Sequence, residues 1–209
     1  MERTELTRLK SLFGSNLLGP DELQPLVSRW GNSETPRLET PPLNYSWADL
    51  ESHAKDYILV MGIPTISGIP VTLRNLREVF GIDPEQQEPC FYNQDWYLNE
   101  SFLDTKLENR WYLLKKDVFE SSRAELPDKL SKEISFPSAV LCAYTFFAYY
   151  LYYKQPLCYH DFIGTYHIGD GSLQDSETVC AVAWIAHYDC PDTYGVGQRR
   201  FIGRKLIGA

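Results

Sequence analysis

The chain has 209 residues, 44% of them hydrophobic and 23% charged, a balance that excludes a disordered or fibrous protein. Its formal net charge of −8 excludes a general electrostatic grip on nucleic acid, which needs a basic face. One local basic stretch remains, QRRFIGRK with Arg199, Arg200, Arg204 and Lys205; it is read first as a solvated terminus and second as a contact for phosphate.

The length suits one well-buried domain, expected over residues 1–209. In residues 1–14, Leu6, Leu9, Leu12 and Phe13 recur at helical spacing, and Gly14 follows as a stop. The next stretch, GPDELQPLVSRWG, predicts a helix whose first turn holds Pro20, Asp21 and Glu22. A missing N–H costs nothing there, and carboxylates meet the positive end of the dipole. Residues 31–44 are proline-rich and read as a loop. Residues 1–44 can therefore be a helical appendage or the start of the main domain, and the second reading is preferred. The opening residues MERTELTRLKSLFG are charged throughout and lack the apolar centre of a signal peptide. Five cysteines (Cys90, Cys142, Cys158, Cys180, Cys190) form no CxxC pair. Together these features point to a reducing cytoplasm and free thiols.

Ser46 with Asp49 three residues on approximates a capping box for a short helix. The run YILVMGI (57–63) is apolar and β-branched, predicting a strand ended by Gly62 and Pro64. In TLRNLREVFG, Thr72 caps and Gly81 closes a short amphipathic helix that turns Leu73, Leu76, Val79 and Phe80 one way. Residues 82–94 read as a loop, and WYLLKKDV (111–118) as a half-buried strand.

From Pro137 up to Lys154 the chain carries no charge, but the run is shorter than the roughly 20 residues of a bilayer span. Five tyrosines between 144 and 153 would carry hydroxyls into hydrocarbon. The segment is therefore expected to be a helix buried inside the domain, its hydroxyls bonded to polar partners. After Pro156, LCYHDFIGTYHI and TVCAVAWIAHYD predict an antiparallel hairpin joined by GDGSLQDSE. Helices first and a hairpin last predict an α+β fold, with a small, mostly antiparallel sheet, a buried aromatic helix and an N-terminal helical segment.

Three stretches, PCFYNQDWYLNESF (89–102), RWYLLKK (110–116) and FPSAVLCAYTFFAYY (136–150), carry a resemblance. They resemble an uncharacterised family of bacterial proteins in which an aromatic-Asp-Trp block precedes a Trp-bearing strand and a Pro-initiated aromatic helix. The resemblance spans about residues 57–168 and implies a bacterial origin and one continuous domain. It implies no activity and no site residues.

Chemistry-bearing residues gather in two places. If the hairpin turn centres near residue 173, His160 falls opposite a residue close to His187 and Cys158 near Asp189, and alternation sets all four on one face. Cys, His, His and Asp suit zinc or another divalent ion. A one-residue slip of register dissolves the set. The same thiols and imidazoles, with Cys158 or Cys190 as nucleophile and Asp161, Asp170 or Asp189 as orienting acid, could instead support covalent catalysis. The second place is residues 95–106, where Asp95, Glu100 and Asp104 precede Lys106, with Glu108 just beyond. This suggests metal-dependent hydrolysis of a phosphodiester, although the surroundings are acidic. No GxxxxGK[ST], GxSxG or HExxH motif occurs.

Trp96, Tyr97, Trp111 and the tyrosine-rich helix could line a recognition surface, since Tyr and Trp give large contact area at low entropic cost. Core packing accounts for the same residues. The function expected is binding, with a protein partner and no membrane or cofactor. The alternative is a metal-assisted hydrolase built on the hairpin face or the 95–106 acids.

Overall fold

The computed structural model describes residues 3–30, 38–83, 89–91, 98–116, 137–155, 157, 162–167, 179–184 and 206–207. The first helix, α1 (Arg3–Phe13), buries Leu9 and Phe13, with Leu6 and Leu12 packed beside them. A single 3-10 turn leads into a two-residue strand, β1 (Leu17–Leu18).

Helix α2 spans Gln24–Trp30, and residues 20–23 form a turn before it. The helix thus starts four residues later than Pro20 suggested. Pro25 explains the delay. It has no N–H to donate to Asp21, and in the first turn of a helix begun at Gln24 that donor has no intrahelical partner in any case.

Helix α3 (Trp47–His53) begins as its sequence signals. The Ser46 hydroxyl accepts from the Asp49 N–H at 3.1 Å and donates to the Asp49 carboxylate at 2.6 Å. Strand β2 (Tyr57–Met61) is buried at every position. A hairpin of β3 (Thr65–Ile66) and β4 (Ile69–Pro70) follows, turning through Ser67 at φ 52° and Gly68 at φ 78°. Positive φ at both central residues gives the twist that a two-residue hairpin loop needs. Helix α4 (Leu73–Phe80) is capped by Thr72, whose hydroxyl accepts from the Asn75 N–H. It stops at Gly81, whose φ of 65° with ψ of −169° suits a residue without a side chain and whose N–H donates to the Arg77 carbonyl at 2.8 Å.

Residues 82–94, expected to be a loop throughout, contain the short strand β5 (Cys90–Phe91). After a 3-10 turn at Ser101–Asp104 comes β6 (Trp111–Lys115), then α5 (Ala139–Tyr153), β7 (Phe162–His167), β8 (Val179–Trp184) and β9 (Leu206–Ile207). One sheet has the order β1-β2-β6-β9, with β1 parallel to β2 and the other pairs antiparallel. A second sheet runs β5-β8-β7 and is antiparallel. The fold is α+β.

Helix α5 organises the interior. Ser138 caps it by accepting from the Leu141 N–H, and every residue from Ala139 to Tyr149 is buried. It contacts α2, α4, β1 and both long strands of the second sheet, so no face is left for water over three turns. Its polar groups are satisfied inside. The Tyr144 hydroxyl donates to the Met61 carbonyl at 2.9 Å, and Thr145 donates to the Leu141 carbonyl one turn back. Burial pushes the Tyr144 phenol well above its ordinary range, which keeps it a donor. No helix among the described residues is long and apolar enough to cross a membrane.

The edge of β6 away from β2 is closed partly by side chains. The Asn44 carboxamide accepts from the Trp111 N–H at 3.0 Å and donates to the Trp111 carbonyl at 3.1 Å, as a neighbouring strand would. The Tyr45 hydroxyl accepts from the Leu113 N–H at 3.1 Å. Asn44→Ala leaves both backbone groups of Trp111 without these partners and is expected to cost about 2 kcal/mol. Thermal denaturation should show this as a drop of about 4–8 °C. Asn44→Asp should not rescue it, because a carboxylate oxygen would then face the Trp111 carbonyl. A wild-type melting curve for Asn44→Ala would contradict this role.

Candidate functional site

Of the seven residues read as metal ligands or recognition surface, six lie outside the described residues: Trp96, Tyr97, Cys158, His160, His187 and Asp189; Cys190, Asp161 and Asp170, named for covalent catalysis, lie outside them as well. The basic residues Arg199, Arg200, Arg204 and Lys205 lie outside them too. The two strands that would carry the metal ligands are present as β7 and β8, antiparallel as expected, with Phe162 opposite Trp184 and His167 opposite Val179. That register sets even-numbered residues opposite even-numbered ones, and directly opposed residues share a face. Among the described residues, no group of three or more His, Cys, Asp or Glu could hold a metal ion.

The seventh, Trp111, is 0% exposed. Its indole N–H donates to the Pro41 carbonyl at 3.3 Å, and it belongs to the core beneath the Asn44 clasp.

Of the acidic stretch at 95–106, Asp95 lies outside the described residues and Asp104 pairs with Arg74. Its two oxygens accept from Arg74 Nε and Nη2 at 2.8 and 3.0 Å. The Arg74 guanidinium holds this exposed carboxyl below its ordinary range. Arg74 Nη1 also reaches the Leu98 carbonyl at 3.4 Å. Asp104 therefore clasps the 3-10 turn to α4, and its lone pairs face a guanidinium rather than a metal position.

Ser52 and His53 form a pair that resembles a nucleophile and its base, with Ser52 Oγ 2.8 Å from His53 Nδ1. The hydrogen bonds run the wrong way for that chemistry. His53 Nδ1 lies 2.7 Å from the Asp49 carbonyl, which can only accept, so Nδ1 carries the proton. Ser52 Oγ donates to the same carbonyl at 2.9 Å. A protonated Nδ1 cannot take the serine proton, and both groups serve the last turn of α3.

The remaining cluster lies where α5 runs out of the core. Tyr149 is buried, Tyr153 half-buried, and Tyr152 is 41% exposed. Their rings support one another, with Tyr149 and Tyr153 centroids 4.6 Å apart and Tyr152 set edge-on to Tyr153 at 4.9 Å. The Tyr153 hydroxyl donates to the Leu17 carbonyl at 3.3 Å, tying the helix end to β1. Burial, then the charge of Glu22, pushes the Tyr153 phenol well above its ordinary range. Glu22 is itself buried, accepting from the Gly19 N–H at 3.0 Å, with Lys10 Nζ 3.7 Å from its other oxygen. Lys10 is also paired with Asp21, and that bond raises the ammonium above its usual value. Lys154 closes the helix in the left-handed conformation at φ 56°.

The chemistry available at this end is recognition. It offers a ring face, a phenol that stays protonated and a rim of paired charges. Neither a family model, nor a curated protein, nor a solved structure matches this chain.

Proposed function

We propose that the chain acts by binding another protein, with the last turn of α5 as its contact surface. The observation that carries this reading is Tyr152: the ring is 41% exposed on a helix buried at every position from Ala139 to Tyr149. An aromatic side chain fixed on a rigid helix and braced by Tyr153 loses little freedom on binding, which is the property that makes tyrosine a frequent hot spot. The Lys10–Asp21 pair supplies a polar rim. Trp111 takes no part, because it is enclosed.

The test is affinity capture from an extract of the native cell, comparing wild type, Tyr152→Ala and Ile69→Ala. Ile69, 44% exposed on the β3–β4 hairpin, controls for loss of any exposed apolar group. Proteins retained by wild type and Ile69→Ala should be lost with Tyr152→Ala, while its melting temperature stays within about 2 °C of wild type. Equal retention by Tyr152→Ala would overturn the assignment.

A further inference from the structure

We draw no further inference here: the strongest candidate, the outer edge of β6, carries nothing beyond the fold because Asn44, Tyr45 and the two-residue strand β9 already close it.

Discussion

Phe147→Ala is expected to remove about 3–5 kcal/mol of stability, the range for truncating a fully buried phenylalanine. The ring is 0% exposed and stacks on Phe80 at 4.1 Å with an interplanar angle of 11°. Phe91 meets it edge-on at 5.0 Å. Three elements therefore converge on one side chain: α5 supplies Phe147, α4 supplies Phe80 and β5 supplies Phe91. On the Phe80 ring sits the Arg29 guanidinium, 5.3 Å from the centroid, which draws α2 into the same stack. Alanine leaves a ring-sized void that four elements cannot close together, so the lost transfer energy and the cavity term add. Phe147→Leu fills most of that volume and should cost about 1.5 kcal/mol. Urea denaturation separates the two, with the midpoint falling and the slope unchanged in each. A loss under about 1 kcal/mol for Phe147→Ala would show that the ring stack is not a packing centre.

Gly62→Ala is expected to cost about 3 kcal/mol or more, for a different reason. Its backbone is not left-handed; what matters is room. A Cβ there would lie 2.3 Å from the Glu108 carbonyl oxygen and 2.7 Å from Tyr112 Cε2. The Gly62 N–H also donates to the Arg110 carbonyl at 2.9 Å, so the two chains meet backbone to backbone where β2 ends and β6 begins. The clash with Glu108 is with main chain, which no rotamer change relieves. Gly68 provides the contrast. It sits at φ 78°, and a Cβ there would have nothing within 4 Å, so Gly68→Ala meets only the conformational penalty of about 1 kcal/mol. Thermal melts of the two variants should differ severalfold in their shifts. Equal shifts would mean that space at Gly62 is not the limiting factor.

The elements most legible in the sequence are those whose ends are written in local chemistry. Thr72 and Gly81 bound α4 because a hydroxyl meets an orphan N–H at one end and a side-chain-free residue takes a positive φ at the other. Ser46 does the same for α3. The run from Ala139 to Tyr149 reads as a buried helix because it has no polar stripe to leave in water. By contrast, β1, β5 and β9 are two residues long, too short for any period, and exist because tertiary packing brings them beside a longer strand. The β3–β4 hairpin, not among the expected elements, has a signal, the Ser67–Gly68 dipeptide between apolar neighbours.

The site was harder to read for a related reason. A tryptophan in a core and one on a surface have the same letter, and only the packing of Pro41 and Asn44 over Trp111 decides between them. Tyr152 likewise sits among tyrosines that differ only in where the helix leaves the core. A nearly uniform apolar helix carries no pattern that marks the exposed one. Asn44 lies in a proline-rich stretch, and no periodicity announces that its carboxamide will stand in for a strand. Asp104 has a spacing suggestive of metal chemistry, yet its partner Arg74 is thirty positions away in sequence and adjacent only in the fold.

The most direct test of the binding surface is site-specific photocrosslinking in the native cell. A photoreactive phenylalanine analogue is placed at position 152 in one variant and at the exposed Asn99 in another. A discrete crosslinked protein is expected from position 152 and should be absent or much weaker from position 99. Discrete crosslinks from position 99 with none from position 152 would contradict it.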